Sequence, residues 1–410
     1  MKPAKERESV DLQKYKKKLI WLLIALLFIT QACTDIYLPA LPDMAREFGV
    51  DPDKMNLTIT VYVYTQAFLF LIMGVISNLF GRKKTIIYSL ITSIIASFLI
   101  AISSNLYLIV LLRALQAIGS GAVYVVSRLI IKEVYDREEQ IHITGLFVLG
   151  LVISPAIAPV LGSLIIGIFN WRSCFIAIGL SLGILVLISS RLIRESNLYM
   201  EENRKNFHIN KILNSYICVL KSQVFIKFAI VIGGAFASFY AFISMSSYMY
   251  INEYHVNHTY YSFIFTAIAM GYLLGNKIML YLNKRGVSPR KIVQAGIFLA
   301  LIASLIMIIS LISDTKLMVL AIISIGGLIT RISTAFINPP IQVEVTHYFK
   351  EESAMAIGLL SFLQYIFAGF GSWFVGKLPL NPSHSIVISS IFFASMSLLA
   401  FISIAHKDFK

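Results

Sequence analysis

The chain has 410 residues, of which 58% are hydrophobic and only 14% charged, and its mean hydropathy is +0.79. Soluble domains run at about 45–50% apolar and about 25% charged, so this chain carries more apolar surface than an aqueous globule can bury. A soluble multidomain protein is excluded. The net charge of +14 is spread in short runs between apolar stretches, which excludes a basic nucleic-acid-binding domain.

The N-terminal tail is polar and basic as far as Lys18, and an apolar run opens at Leu19. No small-residue cleavage site follows a short apolar core, so the run reads as a retained anchor rather than a signal peptide. A bilayer-spanning helix needs roughly 20 apolar residues. Runs of that length fall at about 19–40, 56–77, 84–104, 106–131, 142–168 and 172–193. A second set falls at about 223–250, 259–282, 290–313, 316–337, 350–376 and 385–405. They are too long, and too little alternating, for barrel strands. The pattern predicts an all-α membrane protein with twelve transmembrane helices in two six-helix bundles. The bundles are residues 1–193 and 223–410, and the polar linker 194–222 carries Glu201, Glu202, Arg204 and Lys205 with amphipathic helical character.

Lysine and arginine alternate between loops. Lys14, Lys16, Lys17, Lys18, Arg82, Lys83, Lys84, Lys132, Lys284, Arg285, Arg290, Lys291, Lys407 and Lys410 fall on one side, together with the linker. The other side holds scattered Arg46, Lys54, Arg172, Lys316 and Lys377. The positive-inside bias predicts a multi-pass plasma (inner) membrane protein with both termini and the linker cytoplasmic. The second and eighth spans both end in a small residue, a helical stretch and a basic turn, Gly74 to Lys84 and Gly275 to Gly286. Such a parallel repeat is expected of two-bundle transporters.

Few residues inside the spans carry chemistry. Asp35 is the acid of the first span, with Gln31 one turn earlier on the same face. An ionised side chain in hydrocarbon costs several kcal/mol, so Asp35 is expected to face a water-filled cavity or a partner; the alternative puts it at a helix end in the interface. Arg113, in the fourth span, cannot deprotonate and must find an anion, water or helix-end carbonyls. Arg128 and Glu133 follow on the same helix as a candidate gating or packing pair. Pro155, Pro159 and Gly162 are expected to bend the fifth helix or let it pack closely. Arg331 and Lys277 read as further buried cations, with Glu344 and His347 placed after the tenth span. Aromatic residues such as Phe28, Tyr62, Tyr64, Tyr240, Phe242 and Tyr248 are expected to be mostly lipid-facing, with a minority lining a cavity. Cys33, Cys174 and Cys218 show no paired or metal-ligand spacing, and the histidines form no ligand cluster. Walker, nucleophile-elbow and dinucleotide motifs are absent, which leaves ATP-driven transport and common enzyme chemistry unsupported.

Several strings together resemble one family. Thr34-Asp35-Ile-Tyr37-Leu38-Pro39-Ala-Leu-Pro42, Gly74-Val-Ile-Ser-Asn78-Leu-Phe-Gly81-Arg82-Lys83-Lys84, Arg113-Ala-Leu-Gln116-Ala-Ile-Gly119 and Ser154-Pro155-Ala-Ile-Ala-Pro159-Val-Leu-Gly162 resemble motifs of the major facilitator superfamily. The drug:proton antiporter branch, and within it the bicyclomycin-resistance (Bcr/CflA) group, is the nearest likeness. Tyr240 to Ser244 and Ser353 to Gln364 continue it into the second half. The resemblance implies a non-enzymatic exporter of amphiphilic small molecules or drugs that uses the proton as coupling ion, needs no cofactor, and works as a monomer without nucleic acid. It implies a proton and substrate cavity at Asp35, Arg113, Gln31, Gln116 and Tyr240, with Arg113 near the acid. Gly74, Asn78, Gly81 and Arg82 would form a latch against the eleventh helix, although Asn78 stands where the family has an acid. A dedicated metabolite or siderophore exporter, a proton-coupled importer, and a non-transporting receptor or scaffold stand as alternatives.

Overall fold

A computed structural model describes residues 4–201, 209–313, 315–349, 352–405 and 409. Glu202, Arg204, Lys205, Lys407 and Lys410 lie outside the described residues. Among those described, 12 helices are long and apolar enough to cross a membrane. In chain order they are α1 (Ala4–Asp35), α2 (Leu57–Phe80), α3 (Arg82–Ile102), α4 (Leu106–Val134), α5 (Arg137–Ile168) and α6 (Trp171–Leu192). The second half repeats the series with α7 (Gln223–Ser247), α8 (His258–Lys284), α9 (Pro289–Ile309), α10 (Lys316–Tyr348), α11 (Ser353–Lys377) and α12 (Pro382–Ile402). A short helix, Ile209–Leu220, lies between the halves.

The packing is two-fold repetitive. In the first half α1 packs on α4, α5 and α6, α2 on α4, and α3 on α4 and α6. Six helices later α7 packs on α10, α11 and α12, α8 on α10, and α9 on α10 and α12. The halves meet mainly through two symmetry-related pairs, α2 with α11 and α5 with α8. Twelve crossings leave both described chain ends on one side, called here the termini face; the opposite side is the far face.

Several boundaries differ from the hydropathy reading, each for a local reason. α1 begins at Ala4, well before the apolar run, because no proline or glycine interrupts it and Lys, Glu and Gln are good helix formers. Its polar extension is fastened by Lys16, whose Nζ donates to Asp136 Oδ2 at 3.1 Å and Glu139 Oε2 at 2.6 Å. At its other end α1 stops at Asp35, and Pro39 sits in the 3-10 turn Leu38–Ala40 that follows.

α10 runs through Pro339 and Pro340 to Tyr348, so Glu344 and His347 belong to the helix rather than follow it. Neighbouring helices can satisfy the backbone groups that proline frees, which makes proline tolerable in membrane helices. Lys277 is exposed, not buried. The aromatic expectation also changes: Tyr62, Tyr240, Phe242 and Tyr248 are buried, while Phe28 and Tyr64 are half-buried. Their rings fill inter-helix space, where van der Waals packing replaces the hydrophobic drive that lipid removes.

Candidate functional site

Asp35 is the last residue of α1 and is 2% exposed. Its carboxylate accepts a 2.9 Å hydrogen bond from Ser154 Oγ of α5. The approach of these helices depends on Gly162, where any Cβ would run into the Ile36 carbonyl. A cavity of about 70 Å³ opens beside Asp35 at the seam between the halves. Gln31 and Pro155 line it from the first half; Tyr240, Arg331, Asn338 and Tyr365 line it from the second. Gln31, Asp35 and Tyr240 thus line one cavity.

Arg113 and Gln116 do not join them. Residues 35 and 37 point to different sides of the chain, and Arg113 follows Tyr37. The guanidinium is 0% exposed, with Nη1 donating to the Cys33 carbonyl at 2.8 Å and Nε to the Thr58 carbonyl at 3.2 Å. Nη1 also donates to Gln116 Oε1, whose Nε2 donates to Ser97 Oγ at 2.7 Å. The guanidinium carbon lies 4.2 Å from the Tyr62 ring centroid and 4.6 Å from that of Tyr37. Carbonyls and ring faces stabilise the cation without an acid. Arg113 therefore knits α1, α2 and α4 together and holds the backbone two residues before Asp35. No ion pair joins it to Asp35 among the described residues.

The far face is sealed between the halves. Lys377 Nζ donates to Asp53 Oδ2 at 2.8 Å, and His258 Nε2 stands 3.0 Å from Asp43 Oδ2. The hydroxyls of Thr60 and Ser372 share a 3.0 Å hydrogen bond, and Ser262 Oγ donates to the Pro159 carbonyl at 3.0 Å. Toward the termini face lies a larger cavity, about 540 Å³, lined by Gly74, Asn78, Arg128, Thr346, Gly358 and Ser361 among others. An aromatic partition divides the two. Phe70 and Tyr124 border the larger cavity and Tyr365 the smaller, and the Phe70 ring centroid is 4.9 Å from each of the other two.

The basic turn after α2 is built around Gly81, whose φ of +93° suits glycine and whose Cβ position is taken by the Glu195 carboxylate. Glu195 caps the start of α3, accepting from the Arg82 amide at 2.8 Å and the Lys83 amide at 3.2 Å. Arg82 pairs with Glu133 Oε1 at 2.8 Å and donates to Ser77 Oγ at 2.6 Å. This corrects the expected Arg128–Glu133 pair: residues five apart on a helix face different ways. Arg128 instead lies over the Tyr124 ring at 4.4 Å, with Nε unpartnered. The latch also differs from expectation. Arg82 makes no ion pair with α11 among the described residues, and Asn197 Nδ2 donates 3.0 Å to the Asn78 carbonyl.

The site residues that sequence reasoning left unassigned are Ser154, Arg331, Asn338, Tyr272 and Tyr365. One signal was available for Arg331: a cation inside an apolar span must face a cavity or a partner. Nothing in the sequence marked Asn338 or the tyrosines. A titratable acid and an obligate cation in one buried cavity, closed on the far face, can bind charged solutes and exchange a proton.

Residues 23–372 match the Major Facilitator Superfamily. Over 158 residues the chain is 29% identical to multidrug resistance protein D of Escherichia coli strain K12, which covers 38% of this chain and 40% of that protein. Over 222 residues it is 24% identical to a bicyclomycin resistance protein homolog of Haemophilus influenzae, covering 54% of this chain and 55% of that one. The chain thus spans less than two thirds of either relative's length. In fold it is similar to the xylose transporter XylE from E. coli in a partially occluded inward open conformation, with TM-score 0.70 over 95% of this chain and 97% of that one at 12% identity.

Proposed function

The chain belongs to the Major Facilitator Superfamily, a multi-pass membrane transport protein rather than an enzyme, and we propose that within it the chain is a proton-coupled exporter of amphiphilic small molecules in the plasma membrane. One observation carries this reading: Asp35, a carboxylate that titrates, is buried in a cavity lined by both halves. Proton and a positively charged or polar substrate compete for that carboxylate, so loading one releases the other. Competition for a single group couples the two fluxes.

Two features of the faces support an outward direction. The basic loops assign the termini face to the cytoplasm, and the far face is closed by Asp53–Lys377 and Asp43–His258 while the larger cavity lies toward the termini face. These features support the reading of a carrier that loads from the cytoplasm. Rocking of the halves about the α2–α11 and α5–α8 contacts would then open the far face and expose Asp35 to the outside, where it reprotonates. The drug-resistance names of the relatives support the substrate class, amphiphilic and drug-like, with antibiotic resistance as the expected phenotype.

Substrate-induced proton release from detergent-solubilised protein tests the reading. The parent should release protons on adding a transported compound from a drug panel, and Asp35→Asn should release none. Unaltered release in Asp35→Asn would move the coupling group elsewhere.

A further inference from the structure

Arg331 is a second charge in the Asp35 cavity, and it is held differently from Arg113. Its guanidinium carbon lies 4.0 Å from the Phe239 ring centroid and 4.8 Å from that of Tyr272. Ring contact engages the face of a guanidinium and leaves its in-plane N–H donors unspent. Nε has no hydrogen-bond partner, and no ion pair joins Arg331 to an acid among the described residues. Arg113 lies outside this cavity and gives Nε and Nη1 to two backbone carbonyls and Gln116, with Nη2 alone left unpartnered. A cation that cannot deprotonate, oriented by two rings and left with donors at a cavity wall, is built to receive an acceptor.

The cavity therefore carries two opposite charges from opposite halves: Asp35 from α1 and Arg331 from α10. Charge balance then sorts the possible cargoes. A purely cationic solute would satisfy Asp35 but meet repulsion from Arg331, whose donors would stay unfilled. A purely anionic solute would satisfy Arg331 but be repelled by Asp35 unless a proton entered with it, which is co-transport. A solute with both charges satisfies both side chains and excludes the proton from Asp35.

We infer that the site selects zwitterions once the aromatic partition opens and joins the cavity of about 70 Å³ to the larger one of about 540 Å³. A cationic group then meets Asp35, a carboxylate or like anion meets Arg331, and an apolar or aromatic body lies against Phe236, Tyr240 and Tyr365. This rests on the exporter reading above and narrows its amphiphiles to those bearing both charges.

The experiment measures binding by titration calorimetry on the purified full-length protein. Two aromatic bodies serve as probes, a piperazinyl quinolone carboxylic acid and tryptophan, each in four forms: zwitterion, carboxyl ester (cation), N-acetyl (anion) and N-acetyl ester (neutral). For at least one body the zwitterion should bind about tenfold or more tighter than its ester. In Arg331→Gln the zwitterion and ester should bind alike, and Arg331→Lys should recover part of the preference. The inference is overturned if the ester or neutral form equals the zwitterion in the parent, if neither zwitterion binds, or if Arg331→Gln keeps the preference. Should Arg331→Gln fail to insert, the four-form comparison in the parent decides alone. Proton release recorded in the same titrations separates the two readings. Esters that bind best and release protons would sink the zwitterion inference and leave antiport standing; zwitterions that bind best without proton release would do the reverse.

Discussion

Ser154 Oγ and Asp35 Oδ2 are 2.9 Å apart, and this hydrogen bond ties the acid of the cavity to the proline-containing helix that packs across the seam on α8. Movement of α5 against α8 therefore reaches the carboxylate directly. Asp35→Asn keeps size and hydrogen bonding but cannot titrate, so uphill transport in proteoliposomes should vanish. Ser154→Ala should slow transport by roughly tenfold, taking about 1.5 kcal/mol for a hydrogen bond to a charged group, while Ser154→Thr should stay near the parent. Equal transport in Ser154→Ala and parent would show that the bond has no part in the cycle.

The far face offers a lock. The hydroxyl oxygens of Thr60 and Ser372 are 3.0 Å apart, on α2 and α11. In a Cys218→Ser background, which removes the exposed native thiol, the pair Thr60→Cys and Ser372→Cys should form a disulfide under mild oxidation. Transport should stop and return with reductant. A cross-linked protein that still transports would mean that these helices need not separate.

Breaking the Arg82–Glu133 pair should cost stability before it costs binding. Glu133→Gln removes the carboxylate that Arg82 contacts at 2.8 Å and leaves a nearly buried guanidinium with Ser77 as its remaining side-chain partner. Losing a charged hydrogen-bond partner of this kind costs about 2 kcal/mol. A lowered thermal unfolding midpoint in detergent is the expected outcome, with substrate affinity within a few-fold of the parent.

Asn257 and Asn283 sit at opposite ends of α8, both exposed, and give a direct test of sidedness. In the Cys218→Ser background, Asn257→Cys should react with an impermeant thiol reagent on intact cells and Asn283→Cys should not. The reverse pattern would invert the orientation inferred from the basic loops.

Asn78 lines the larger cavity with Arg128. Placing a carboxylate there gives the unpartnered Arg128 Nε a possible counter-charge, and the bond from Asn197 to the residue 78 carbonyl does not involve the side chain. Asn78→Asp should insert normally and transport within a few-fold of the parent. Near-complete loss of transport with normal insertion would show that a neutral side chain is required.

The number of crossings was written locally. A backbone in hydrocarbon must satisfy its hydrogen bonds within each segment, so each span announces itself by its own apolar length. Asp35 was legible for the same reason, since one acid in an apolar run stands out without any knowledge of its neighbours. The partners of the charged side chains were not legible. Arg113 and Arg331 look alike in sequence, yet one is spent on the carbonyls of Cys33 and Thr58 and the other faces the Asp35 cavity from the opposite half. Choosing between them requires the rotation of each helix about its axis and the docking of one half on the other. Those are set by contacts between residues as distant as Thr60 and Ser372 or Ser262 and Pro159, and no window of sequence contains both members of such a pair.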